Sequence, residues 1–360
     1  MAIDSLKPIE LWIRRIFLRT LKVFGTKRHS LPENVIASLG PSPSILLLRQ
    51  DRLGDVILST FILRALRGKY PKARIGILLG KNNVGVTPLI PYNCEVFLYS
   101  KNLFADSKTL ARLRHEKFDI AIDMTDKASV TSSVLLTAIG AKLNIGVEKE
   151  NAVVYDITVP RLSQEHVHIT RRVAELLRPF GIDPVTVDCS PVLNINSTPI
   201  SGRIGFNVSS RTLDRCAPPV ASAKIAREVL SLGFHEVVIF AAPNDRARGE
   251  ALVTLANDSR IHLAQKAASF AAFAEQVASC EYLITVDTSV IQIAAAARIP
   301  MVLLFRPMPG EHPWTPVGVP FEIHTQFPQL NTLEPQPVLA LFKRLMARAG
   351  KPEHASVAAI

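Results

Sequence analysis

Two phosphate-cradling fingerprints are missing from this chain. Neither G-x-G-x-x-G nor G-x-x-x-x-G-K-[ST] follows its first apolar run, which argues against a nicotinamide-dependent dehydrogenase or a P-loop. Cysteine is scarce: Cys94, Cys189, Cys216 and Cys280 lack C-x-x-C spacing and paired histidines, which excludes a disulfide framework or a zinc site and implies reduced, mostly buried thiols of a cytoplasmic protein. Aromatic residues make up only 6%, and no basic run interleaves with them. Nucleic acid is therefore not the expected partner, although the net charge of +11 asks for an anionic one. No D-x-D element occupies a suitable loop, so no metal site is expected, and there is no short repeat or low-complexity tract. With 48% hydrophobic and 20% charged residues the chain is globular, not disordered, and 360 residues suffice for two domains.

What is present begins with charge at the front. Residues 1–30 carry seven basic side chains against Asp4 and Glu10, a local charge of +5. Within residues 1–29, Ile9, Trp12, Ile13, Ile16, Phe17, Val23 and Phe24 share one helical face, with Arg14, Arg15, Arg19 and Lys22 outside it. Such a basic amphipathic helix suits an anionic membrane surface, or packs on its own domain, and its charges prevent it from spanning a bilayer. Residues 30–43, with three prolines, form a linker.

From residue 44 onward apolar runs alternate with helical periodicity. Ile45–Leu48 is a buried strand, followed by the polar turn Arg49-Gln-Asp-Arg-Leu-Gly-Asp55 and a helix from Val56. Strands follow at 74–79, 95–99, 118–124 and 143–147, with helices at 107–116 and 128–139 and another from His166 to about Phe180. A change of composition at 190–202 marks a linker, and the alternation restarts at 204–208 and runs to 300–305. The expectation is α/β: an N-terminal Rossmann-like domain over 44–190 and a C-terminal one over 203–350, facing across a central cleft.

Chemistry is expected in the turns at strand ends. In the first, Arg52, Gly54 and Asp55 concentrate charge beside a glycine that permits a tight backbone, and Asp55 is either a functional carboxylate or a helix N-cap. In the second half, Arg211 and Arg215 stand in the hydroxyl-rich loop 207–216, as an anion site requires. Asp287-Thr288-Ser289 precedes a helix from Thr288 whose N-terminus suits a phosphate, with Asp287 again a cap or more than one.

These segments resemble glycosyltransferase family 9, the ADP-heptose:lipopolysaccharide heptosyltransferases and their relatives, over about residues 44–348. The resemblance rests on Arg49–Val56 with Leu63–Leu66 and Tyr70-Pro71, and on Ser279–Ser289, Ala294–Ala297 and Ile299–Phe305 with Pro307. It implies a GT-B fold and an inverting glycosyltransferase that needs no cofactor or metal. Sugar, heptose from ADP-heptose, would pass from a nucleotide-diphosphate donor to a lipopolysaccharide or lipid-linked acceptor. Asp55 matches the family's catalytic carboxylate, Arg215 a lysine near the diphosphate, Asp245 an acidic residue at the nucleoside, and Asp287 and Thr288 the donor turn. Ser289 and Gln292 depart from the family's glycine and histidine. The alternative is a non-catalytic nucleotide-sugar-binding or scaffold protein of the same fold. The implied location is the cytoplasmic, inner face of the bacterial inner membrane, held peripherally.

Overall fold

The computed structural model describes residues 35–307, 310, 314–326 and 330–349. The amphipathic helix expected over 1–29 lies outside them. Two compact units emerge: one runs to Thr87 and resumes over Pro91–Val187, and the other joins Pro88–Ile90 to the chain from Asp188 onward.

The first unit contains β1 (Ser44–Arg49), α1 (Leu53–Leu58), α2 (Thr60–Lys69), β2 (Arg74–Gly80), β3 (Glu95–Tyr99) and α3 (Leu103–His115). It continues with β4 (Ile120–Asp123), α4 (Val130–Ile139), β5 (Leu143–Val147), β6 (Ile157–Val159) and α5 (Ile169–Ala174). The strands form one parallel sheet in the order β3-β2-β1-β4-β5-β6. Helices bury both faces of such a sheet, which is why β1 is a continuous apolar run and Ile45 to Leu48 are buried. Leu46, Leu48, Phe97, Phe118 and Leu135 form part of the core on one side.

The second unit repeats the plan with β7 (Arg203–Asn207), α6 (Pro219–Ser231), β8 (Glu236–Phe240), α7 (Arg246–Ala256), β9 (Ile261–Leu263) and α8 (Phe270–Ala278). Then come β10 (Tyr282–Val286), α9 (Val290–Ala296), β11 (Met301–Phe305), β12 (Phe321–Thr325) and α10 (Pro335–Ala349). The parallel order is β12-β11-β10-β7-β8-β9, the same arrangement counted from the unit's first strand. Each unit is thus a doubly wound α/β sheet. Its topological switch point, where ligands collect, lies between β1 and β4 in one unit and between β7 and β10 in the other.

Several boundaries differ from those expected, each for a local reason. The helix expected from Val56 is two helices, because Ser59 and Thr60 turn their hydroxyls back onto the Asp55 and Ile57 carbonyls, at 2.6 Å in both cases. The helix expected over 107–116 starts at Leu103, since the Asn102 side chain accepts from the Phe104 and Ala105 N–H groups. The one expected from His166 begins at Ile169 and tightens into a 3-10 turn over Glu175–Phe180, where Pro179 supplies no N–H. β6, β9, β12 and α10 were not anticipated; β6 and β9 are edge strands of three residues each, too short to register as a periodic signal.

Candidate active site

In the first unit the site is built around the end of β1. Arg49 is the last residue of that strand and is almost fully buried, and its Nη1 donates to the Met124 carbonyl just beyond β4 at 2.5 Å. One side chain therefore ties together the two strands that flank the switch point. The same guanidinium donates through Nε to the Asp55 carbonyl at 3.2 Å, with Nη1 3.2 Å from Asp51 Oδ2 and Nη2 3.7 Å from Asp55 Oδ1.

Asp55 is buried, and it is the third residue of α1, not its N-cap as one expectation had it. Arg52 holds the cap position, and its backbone N–H donates to Asp55 Oδ2 at 3.2 Å; a guanidinium has no acceptor with which to return the bond. Burial pushes the Asp55 carboxyl up to about 6, with Asp51 adding to the rise and Arg49 and Arg52 opposing it. Gly54 lies inside α1, so the glycine demanded by close approach is instead Gly80, where a Cβ would stand 2.5 Å from the Gln50 carbonyl oxygen. Asn83, fully buried, donates to the Arg49 carbonyl at 2.9 Å and accepts from the Gly80 N–H at 2.8 Å, fixing the ends of β1 and β2 against each other.

A polar cluster at the ends of β4 and β5 had no counterpart in the sequence reading. Asp123 accepts from Tyr155 Oη at 2.6 Å and from the Thr125 hydroxyl at 2.7 Å, and pairs with Lys149. The Tyr155 ring lies where a Cβ on residue 146 would be, so Gly146 is required there. Asn151 Nδ2 donates to Tyr155 Oη at 3.1 Å and to Ser133 Oγ at 2.9 Å. Beyond this cluster, Asp126 receives Gln164 Nε2 at 2.7 Å and lies 3.3 Å from the buried Arg172.

In the second unit the switch point is again bridged by one buried side chain. Asn207, ending β7, donates through Nδ2 to Thr285 Oγ1 of β10 at 3.0 Å and to Thr288 Oγ1 at 3.1 Å. Ser209 Oγ donates to Asp245 Oδ2 at 2.8 Å, and Arg248 Nε reaches the same oxygen at 2.8 Å. Arg215 Nη1 donates to Asp287 Oδ2 at 3.1 Å, both side chains being about a quarter exposed. Ser210 Oγ donates to the Asp287 carbonyl at 3.1 Å. Arg215, Asp245, Asp287 and Thr288 are thus gathered at the ends of β7 and β10, while Arg211 is exposed on the loop.

The helix expected from Thr288 starts instead at Val290, with Ser289 in the cap position and the Thr288 hydroxyl accepting from the Val290 N–H at 3.3 Å. Gln292 sits in the first turn of this seven-residue helix and is buried. In the 207–216 loop the sequence singles out the arginines and not Asn207 or Ser209. Their signal was position: both are polar residues at the end of an apolar strand. No group of three or more histidine, cysteine, aspartate or glutamate side chains among the described residues is arranged to hold a metal ion.

Chemically, the first unit offers a buried carboxylate with a raised proton affinity, and the second offers a part-exposed guanidinium paired with Asp287 beside the Ser210 hydroxyl. The family model for glycosyltransferase family 9 (heptosyltransferase) matches residues 107–325, more than half of the chain, beginning after the β1 turn. No curated protein sequence matches. The glycosyl transferase family 9 structure from Veillonella parvula DSM 2008 is 18% identical with a TM-score of 0.71, over 85% of this chain and 97% of that one. The E. coli ADP-heptose lps heptosyltransferase II is 18% identical at 0.68, over 86% and 100%. E. coli heptosyltransferase WaaC with ADP-2-deoxy-2-fluoro heptose is 15% identical at 0.69, over 84% and 99%. These structural matches cover more of the chain than the family model does and bear out the α/β, GT-B expectation. The chain belongs to glycosyltransferase family 9 and is a glycosyltransferase with two Rossmann-like units.

Proposed function

We propose that this enzyme transfers heptose from ADP-heptose to a lipopolysaccharide or other lipid-linked glycan, with inversion at the anomeric carbon. The observation that carries this reading is Asp55: a buried carboxylate, its proton affinity raised to about 6, in the first turn of α1 just after β1 at a switch point. A sugar hydroxyl is a weak nucleophile, and a carboxylate of that basicity takes its proton as the oxygen attacks, typically worth about 10²–10⁴-fold. Attack from the face opposite the leaving group inverts the centre. The departing nucleoside diphosphate gains charge, which Arg215 is suited to stabilise because a guanidinium stays ionised and grips two oxygens at once. Asp245, held by Ser209 and Arg248, keeps one carboxylate oxygen uncommitted by these bonds for a nucleoside hydroxyl. Support for the donor comes from the E. coli neighbour whose structure holds an ADP-heptose analogue.

The enzyme acts, in this reading, at the inner face of the bacterial inner membrane. The support is the net charge of +11 and its concentration at the front of the chain. No helix of the described residues is long and apolar enough to cross a membrane.

The deciding experiment incubates the enzyme with ADP-heptose and heptose-deficient lipopolysaccharide, following ADP release and product mass, with the anomeric configuration read by NMR. Asp55→Asn is expected to abolish transfer while leaving ADP affinity nearly intact. Transfer by Asp55→Asn within about threefold of wild type would remove Asp55 from the chemistry. Donor binding without turnover by the wild type would favour the scaffold alternative.

A further inference from the structure

Among the described residues Arg49 is the largest of the fully buried side chains, 2% exposed, and a strand needs no arginine there. Two of its bonds go to main-chain carbonyls, those of Asp55 and Met124, and a neutral donor would serve both. A guanidinium removed from water is costly unless its charge is matched, and here the carboxylates of Asp51 and Asp55 match it. The distances are unequal. Asp51 Oδ2 is 3.2 Å from Nη1, whereas Asp55 Oδ1 is 3.7 Å from Nη2, beyond good hydrogen-bond length. Asp55 Oδ1 therefore feels the positive charge while its lone pairs stay free for the proton of an incoming hydroxyl.

We propose that Arg49 is a positioning residue for transfer: it keeps Asp55 ionised and fixes its carboxylate at the end of β1 without occupying the oxygen that takes the proton. This rests on the reading of Asp55 as the base. Without Arg49, burial acts on the carboxyl with Asp51 reinforcing it, and only the more exposed Arg52 and its backbone N–H still oppose. Behind Arg49, a further cation, Lys149 just beyond β5, is already paired with Asp123.

The test uses the full chain with Arg49→Met, Arg49→Gln and Arg49→Lys, and Asp55→Asn as reference. The Asp55 titration is followed by infrared difference spectra of ¹³C-aspartate-labelled protein against Asp55→Asn, beside the pH profile of kcat/KM. In Arg49→Met the Asp55 midpoint should rise by about one to three pH units, the size of an arginine's effect on a neighbouring carboxylate. The acid limb of kcat/KM should rise with it, while donor KM stays within about threefold. Arg49→Lys, which keeps the charge, should hold the midpoint near that of wild type. If Arg49→Met does not fold, Arg49→Gln, which keeps a donor and loses the charge, is read by the same criteria. An unmoved midpoint in the neutral variant, with Asp55→Asn inactive, would overturn the inference and leave Arg49 as a tie between strands. Transfer retained by Asp55→Asn would instead overturn the base itself, and the positioning role with it.

Discussion

Lys149 and Asp123 form an ion pair that solvent does not reach: Nζ lies 3.1 Å from Oδ2 and both side chains are 0% exposed. The remaining lysine donors go to the Thr125 carbonyl at 2.5 Å and the Thr125 hydroxyl at 3.0 Å, so the ammonium is fully used within the protein. Burial still draws the Lys149 ammonium below its ordinary range, against the pull of Asp123. Lys149→Met strands a carboxylate in the core and should cost about 3–5 kcal/mol in urea unfolding, and adding Asp123→Asn should recover part of the loss. A single mutant as stable as wild type would mean that Asp123 has another charge partner.

Gly80 and Gln50 set a second expectation. A Cβ at residue 80 meets the Gln50 carbonyl at 2.5 Å, a backbone atom that cannot swing aside, and Gln50 belongs to the turn that leads into α1 and Asp55. Gly80→Ala should therefore destabilise by about 1–3 kcal/mol and lower kcat by displacing the turn. Gly68, inside α2 with nothing within 4 Å of where a methyl would stand, is the control: Gly68→Ala should stabilise by about 0.4–1 kcal/mol. Melting curves and initial rates of the two variants decide between them.

Asp55 also predicts how stability varies with pH. Its proton affinity rises on folding from the ordinary 3.8 to about 6, so the folded protein holds that proton more tightly than the unfolded chain. The contribution is complete below about pH 4, falls as pH rises through about 6, and is absent at neutral pH. Asp55→Asn, neutral throughout, should be more stable than wild type at pH 7.5 by roughly 2–3 kcal/mol and close to it at pH 4. Equal stabilities at pH 7.5 would show that Asp55 is not desolvated.

Arg215 and Gln292 bear on the donor. Arg215→Ala should weaken ADP binding by about 1.5–3 kcal/mol, the range for a hydrogen bond to a charged group. Gln292→His should keep or tighten it, more so below about pH 6.5, where an ordinary histidine gains charge. Titration calorimetry at two pH values measures both, and unchanged affinity in Arg215→Ala would misplace the diphosphate.

Deleting residues 1–29 should release the enzyme from anionic vesicles but spare transfer to a short soluble acceptor, since each basic side chain near such a surface adds about 1 kcal/mol. Equal co-sedimentation of both proteins would remove the membrane role of this segment.

The amino-acid sequence by itself determined the class of fold and the places where chemistry would gather. Apolar runs such as Ile45–Leu48 and Met301–Phe305 are continuous because helices cover both faces of a parallel sheet, and that constraint is written into residue type. The charged turn Arg49–Asp55 and the hydroxyl-rich loop Asn207–Cys216 stood out for the same reason: polar residues interrupt the pattern where strands end. Tertiary structure alone decided the partners. Arg49 meets Met124, 75 positions away, and Asn207 meets Thr285, 78 away, because strand order sets β1 beside β4 and β7 beside β10. Asp123, Lys149 and Tyr155 were invisible in the sequence because a buried ion pair has no period and no local motif. That Asp55 lies inside α1 and is not its cap also lay beyond spacing. Its burial raises its proton affinity while the Arg49 guanidinium opposes the rise, and both are properties of the packed molecule.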